Sequence, residues 1–143
     1  MDLELTIPGS PVAKSRPRVG KYGAYTPKKT ASFESYVGFC WASEYGHLKP
    51  LEGALSINIV FYMPIPKSTP KKAREAIKQG ITKHTKKPDL DNMAKSVLDA
   101  LNGLAYKDDS QIYSLSLYKV YDENPRTELI IKCKEDKDDE FKL

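Results

Sequence analysis

The chain has 143 residues, is 40% hydrophobic and 29% charged, and carries a formal net charge of +4 at pH 7. This size suits one domain that holds an ordinary core without staples. No apolar run approaches the roughly 18 to 20 residues of a membrane span. The N-terminal MDLELTIPGSP also lacks the basic and apolar regions of a signal peptide, so a cytoplasmic protein with no membrane partner is expected.

LELTI alternates Leu3, Leu5 and Ile7 against Glu4 and Thr6, the pattern of a half-buried strand. The following stretch, PGSPVAKSRPRVGKYGAYTP, holds four prolines, three glycines and the cations Lys14, Arg16, Arg18 and Lys21. It reads as a long basic loop with a short hairpin around Gly20–Gly23. Long loops inside compact domains are often functional.

Thr26-Pro27 reads as N-cap and first residue of a helix running to about Tyr45, with Gly46 as its stop. Phe33, Tyr36, Val37, Cys40 and Trp41 recur at helical spacing and are expected in the core. Leu55, Ile57, Ile59, Phe61 and Met63 alternate with Ser56 and Asn58 in the clearest strand.

Ser68-Thr69-Pro70 begins a polar surface helix that Gly80 ends; its cations fit either a solvated face or nucleic acid. ITKHTKKPD is extended into Pro88, which disfavours helix at Lys87. Asp91 or Asn92 is expected to cap the next helix, with Met93, Ala94, Val97, Leu98 and Leu101 inward and Asn102-Gly103 at its end. SQIYSLSLYKVYDE and RTELIIKCK are two strands joined near Asn124-Pro125. Residues 1–134 thus read as one α+β domain: a small sheet of about four to five strands packed with two to three helices. Residues 135–143 form a charged tail. Cys40 and Cys133 have no motif spacing and read as reduced core thiols.

Charge is unevenly distributed. Residues 1–88 hold 15 Lys/Arg against 6 Asp/Glu, net +9, and residues 89–143 hold 8 against 13, net −5. Five of the acids, Asp89, Asp91, Asp99, Asp108 and Asp109, crowd around one short apolar-periodic segment. In an extended segment residues two apart share a face, so Asp89 and Asp91 are expected to project together. Lys95 lies one helical turn beyond Asp91. If the strand after Asp109 pairs beside Asp89, three or four carboxylates converge. Two unit charges about 4 Å apart repel by roughly 4 kcal/mol at an effective dielectric near 20, so convergence calls for a cation. Oxygen-only ligands favour Mg²⁺ or Mn²⁺ over Zn²⁺, and His47 and His84 have no zinc-like neighbours. An EF-hand loop counted from Asp89 fails because Ala94 stands where glycine is required. A phosphate backbone held by the basic half, with divalent metal at the acids, satisfies both halves. The plain alternative is helix capping by Asp-x-Asp-Asn, an i, i+4 ion pair of Lys95 with Asp91 or Asp99, and a turn at Asp108-Asp109-Ser110.

The combination of Pro88-Asp89-Leu90-Asp91-Asn92, Lys95, Asp99-Ala100-Leu101-Asn102-Gly103 and Asp108-Asp109-Ser110-Gln111-Ile112 is more specific than any of its parts. It closely resembles the RusA family of Holliday junction resolvases, densest over residues 86–112 and looser toward GSPVAKSRPR. The resemblance implies a mixed α/β homodimer that cuts four-way DNA junctions with Mg²⁺, for which Mn²⁺ substitutes, and no small-molecule cofactor. It also implies recombination and repair as the setting, and prophages as a common source. It carries the catalytic carboxylates over to Asp89, Asp91 and Asp109 and the essential lysine to Lys95, with Asp108 as the adjacent acid of the same metal-binding pair. Lys14, Arg16, Arg18, Lys86 and Lys87 are then expected phosphate contacts, while Tyr22 and Tyr25 fit turn packing better than base stacking. Two rivals stand beside this reading: a branched-DNA-binding module without catalysis, and a broader structure-selective nuclease.

Overall fold

A computed structural model describes residues 1–15, 18–25 and 28–134. The capping pair Thr26-Pro27 and the charged tail fall outside the described residues, as do Arg16 and the side chains of Arg18 and Tyr25. Strand β1 (Asp2–Pro8) is followed by the hairpin β2 (Arg18–Gly20) and β3 (Gly23–Tyr25), then helix α1 (Lys28–Tyr45) and strand β4 (Leu55–Pro64). Helices α2 (Lys71–Lys78) and α3 (Leu90–Leu101) precede strands β5 (Ile112–Asp122) and β6 (Arg126–Cys133). The result is α+β, as the sequence pattern implies.

The main sheet has the order β1-β6-β4-β5. Antiparallel pairs join β1 to β6 and β6 to β4, whereas β4 and β5 run parallel. Alternation decides which face is covered. Leu3, Leu5 and Ile7 of β1, Leu55 through Met63 at every second position of β4, and Leu129 and Ile131 of β6 are buried in one core cluster. Helices α1 and α3 contribute Phe33, Val37, Trp41, Met93, Val97 and Leu101 to the same cluster.

The stripe of α1 is narrower than its composition suggested. Tyr36 is 39% exposed and Cys40 only partly buried. Phe33, Val37 and Trp41 repeat every four residues and take the centre of the stripe, which turns Tyr36 and Cys40 onto its flank. No disulfide links Cys40 and Cys133. Helix α2 buries no residue, in keeping with its polar sequence. No described helix is long and apolar enough to cross a membrane.

Helix α3 ends where Asn102-Gly103 predicted, with Asn102 as C-cap and Gly103 at φ +83°, a conformation open to glycine at little cost. The chain then folds back beneath the helix. The Gly103 amide donates to the Tyr106 carbonyl at 2.8 Å and the Leu51 amide to the Ala105 carbonyl at 2.8 Å. Tyr106 is fully buried, and its hydroxyl donates to the Leu98 carbonyl at 2.6 Å. Tyr106→Phe removes this donor and leaves the partly buried Leu98 carbonyl without it, so stability should fall by about 1 kcal/mol. The midpoint of urea unfolding should drop with an unchanged slope.

Candidate active site

Asp89 is the N-cap of α3, and Asp91 lies in its first turn. The helix therefore begins two residues earlier than a cap at Asp91 requires and three earlier than one at Asn92. The two acids do not share the alternation of an extended strand, because Asp91 already follows the helical repeat. Asp89 has the extended dihedrals of an N-cap (φ −71°, ψ 141°), yet its side chain accepts no capping hydrogen bond. An aspartate at this position ordinarily accepts from the N2 or N3 amide; here it does not.

Asp108 behaves in the opposite way. It is the N-cap of a single 3-10 turn, Asp109–Gln111, and its carboxylate accepts from the Ser110 amide at 3.2 Å. The Gln111 side chain answers by accepting from the Asp108 amide at 2.9 Å, completing a reciprocal capping box. The hydrogen bond from Ser110 holds the Asp108 carboxyl below its usual range. Gln111 also donates to the carbonyls of Leu51 and Gly53, both at 3.0 Å, so the turn is riveted to the segment leading into β4.

With the turn fixed, Asp109 comes back to α3. Asp91, Lys95, Asp99 and Asp109 line one open depression of about 240 Å³ whose wall is Ala94, Leu98, Leu115 and Leu117. Asp89 is not in that lining, and among the described residues no three His, Cys, Asp or Glu side chains form a group that holds a metal ion. Of the acids expected to converge, Asp91 and Asp109 share this lining with Asp99, whereas Asp108 is outside it and Asp89 stands two residues before Asp91 at the same helix terminus. Burial first, and then the negative charges of Asp109, Asp99 and Asp108, push the Tyr106 phenol well above its ordinary range, so it stays a proton donor beneath the acids.

The donor set fits a hard divalent cation. Mg²⁺ is commonly held by one or two carboxylates, with water and substrate phosphate completing the shell, and two carboxylates in one solvent-open depression match that pattern.

The ion pairs differ from the plain capping alternative. Asp99 pairs with Lys14 at 3.4 Å, and Lys14 also bonds Glu34 of α1. Lys95, which is exposed, joins no ion pair among the described residues. The Lys14 side chain is only 17% exposed. Burial pulls its ammonium down, but the bonds and charges of Glu34 and Asp99 outweigh that and raise it overall. Its backbone amide donates to the Asn92 carbonyl at 2.9 Å, and the Ser15 amide donates to the Thr30 hydroxyl at 3.1 Å. Lys14 thus staples the basic loop across both helices, with its charge already engaged. Lys86 and Lys87 are exposed just before Asp89, without ion pairs among the described residues. Tyr22 is 95% exposed and lies within 5.7 Å of the Lys21 ammonium rather than packed in the turn.

Three features escaped the sequence pattern: Glu34 as partner of Lys14, the leucine wall, and Lys119. Lys119 of β5 donates to the carbonyls of Lys86 at 2.8 Å and Pro88 at 3.2 Å. Its signal was present as the one cation in the run SQIYSLSLYKVYDE, with nothing to name its partner.

Fold and site together define a class: an α+β domain with a depression that brings Asp91, Asp99 and Asp109 together with Lys95. A family model described as endodeoxyribonuclease RusA matches residues 8–132. The chain belongs to the RusA endodeoxyribonuclease family. It is also similar to a Bacillus subtilis (strain 168) protein described as uncharacterized protein YqaN. The two are 40% identical over 136 residues, which cover 91% of this chain and 95% of that relative. Family membership implies endodeoxyribonuclease activity on branched DNA and a general dependence on divalent metal.

His84 lies in the segment before Asp89, with its ring 4.7 Å from that of Tyr121 and a buried Nδ1 that has no hydrogen-bond partner. Burial first, then the charges of Lys119 and Lys86, lower its pKa below the ordinary 6.5. The folded state therefore binds this proton less readily than the unfolded state. The stabilising contribution is complete above about pH 6.5 and is lost as pH falls toward the folded value. Urea titrations at about pH 7.5 and about pH 5.5 should show a smaller loss for His84→Phe than for the natural chain.

Proposed function

We propose that this protein is a Mg²⁺-dependent endodeoxyribonuclease that resolves Holliday junctions as a homodimer, hydrolysing one phosphodiester in each of two opposed strands. The observation that carries this reading is that Asp91, Lys95 and Asp109, from separate parts of the chain, line one depression. A two-fold symmetric dimer would offer two such sites to a two-fold symmetric junction. Mn²⁺ substitutes for Mg²⁺ because the donors are carboxylate oxygens.

Asp91 and Asp109 would hold the cation, with Asp89 as a third carboxylate at the helix start. When bound, the cation makes water a competent nucleophile near neutral pH and offsets charge on the scissile phosphate. Lys95 supports this reading by its lack of an ion pair among the described residues. Its ammonium is left to donate to a non-bridging phosphate oxygen as negative charge grows in the transition state. Between the adjacent acids, Asp109 is the better ligand because Asp108 is engaged in its capping box. Arg16, Arg18, Lys86 and Lys87 contact phosphates around the site, positioning the junction without reading its sequence. Lys14 supports them by holding the loop in place.

A synthetic mobile four-way junction incubated with Mg²⁺ tests the reading. Paired symmetric nicks leaving 5′-phosphates and ligatable duplexes are expected. Binding without cleavage would mark a non-catalytic module, and equal cutting of flaps a broader nuclease. Asp91→Asn and Asp109→Asn should each lower cleavage by about a hundredfold or more while junction binding persists or tightens, since a phosphate-repelling charge is gone. Asp108→Asn should lower the melting temperature modestly and keep most cleavage; the reverse ranking of Asp108 and Asp109 would reassign the ligand. Replacing Lys86 and Lys87 together with alanine should weaken binding to all junction sequences and reduce the salt slope by about 2.

A further inference from the structure

We propose that Lys119 is a positioning residue: by clamping the segment before α3 to strand β5, it sets where the Asp89 carboxylate stands. The proposal rests on the reading of Asp89 as part of a metal site, and it names a residue that reading leaves out.

Residues 81–88 form neither helix nor strand between α2 and α3. Among the described residues, only Lys119 ties residues 83–88 to the body of the fold by hydrogen bonds, through the carbonyls of Lys86 and Pro88. The His84 ring against Tyr121 adds a second contact, two positions along the same strand. The Pro88 carbonyl is the informative acceptor. It lies in the planar peptide unit that also contains the amide nitrogen and Cα of Asp89, so holding that oxygen holds the plane from which the Asp89 side chain springs. On the far side of Asp89, its own carbonyl accepts from the Met93 amide at 3.1 Å, the first turn of α3. Asp89 is therefore fixed from both neighbours by backbone contacts, while its carboxylate takes no part in capping.

Lys119 is placed for this task by the sheet. It pairs with Phe61 of β4, and Leu115, Leu117 and Tyr121 share its parity along β5. The two leucines wall the acidic depression; the next two positions hold the segment that delivers Asp89. One strand face thus serves both parts of the site. A half-buried ammonium is costly unless its donors are met, and here two carbonyls take them through charge-assisted bonds. Lys119 joins no ion pair among the described residues, so its charge is directed at the backbone rather than at a competing acid.

Lys119→Met and Lys119→Arg test the clamp, read without DNA by amide exchange and by Mn²⁺ binding from electron paramagnetic resonance. Lys119→Met should speed exchange of the Met93 amide while that of Val97 stays unchanged, and should weaken Mn²⁺ binding by about tenfold or more. Lys119→Arg keeps donors and should retain most of the affinity. In an Asp89→Asn background, Lys119→Met should weaken Mn²⁺ binding no further, because it acts through Asp89. Unchanged Met93 exchange or unchanged Mn²⁺ affinity in folded Lys119→Met overturns the proposal. So does weaker junction binding with unchanged Mn²⁺ affinity, which would make Lys119 a DNA contact. Should Lys119→Met not fold, Lys119→Gln, which retains amide donors without charge, must show a partial loss in the same measurements. Natural protein that neither binds Mn²⁺ nor nicks junctions would sink the proposed function, whereas the Met93 exchange difference still decides the clamp.

Discussion

Strands β4 and β5 run parallel, so the chain between them cannot turn in a hairpin. It must leave one end of the sheet, travel back and re-enter at the other. Helices α2 and α3 make that return journey, and everything acidic in the site lies on its last stage. Because β5 starts beside the start of β4, the chain leaving α3 must reverse within a few residues. The positive φ at Gly103 and the plug of Tyr106 under Leu98 accomplish the reversal. Asp109 is brought against α3 by this topology, not by any attraction between the acids, which repel one another.

Assembly against repulsion explains how the surrounding charges are arranged. Asp99 and Asp108 are neutralised locally, one by Lys14 and the other by the amides of its own turn. Asp89, Asp91 and Asp109 have no ion pair among the described residues. Five acids in a short stretch thus divide into two that stabilise the fold and three that remain available. That division also explains why Lys14, in a loop rich in cations, is not interchangeable with its neighbours. Its charge offsets Asp99 at the rim of the depression and fastens the loop to α1 through Glu34, so the loop's later cations start from a fixed base.

Periodicity made most of the fold legible. β4 alternates so regularly that its inward residues could be named one by one, and the stripe of α3 agrees except that Leu98 is only partly buried, at the wall of the depression. The motif residues Asp91, Lys95 and Asp109 were legible as a set and share one cavity. What failed was reasoning that required the start of a helix to be known. Parity placed Asp89 and Asp91 on one strand face, but Asp91 already turns with α3, and the extended geometry stops at Asp89. Partners distant in sequence were also illegible: nothing local links Lys14 to Glu34, or Lys119 to the Pro88 carbonyl. Such contacts depend on how helices and strands stack, which a one-dimensional pattern does not encode.

Asp89 shows what the local rules leave over. Its dihedrals, its position before Leu90 and the macrodipole of α3 all favour a carboxylate turned back to cap the helix. The favourable bond is available within its own backbone neighbourhood, and the side chain does not take it. Asp108, with similar chemistry at a shorter helix, does. The residue type is the same at both caps, and the backbone leading into each is held differently. Before Asp108 the anchors are the bond between the Leu51 amide and the Ala105 carbonyl and the Lys107–Glu52 ion pair; before Asp89 the anchor is an ammonium group on the immediately preceding carbonyl, that of Pro88.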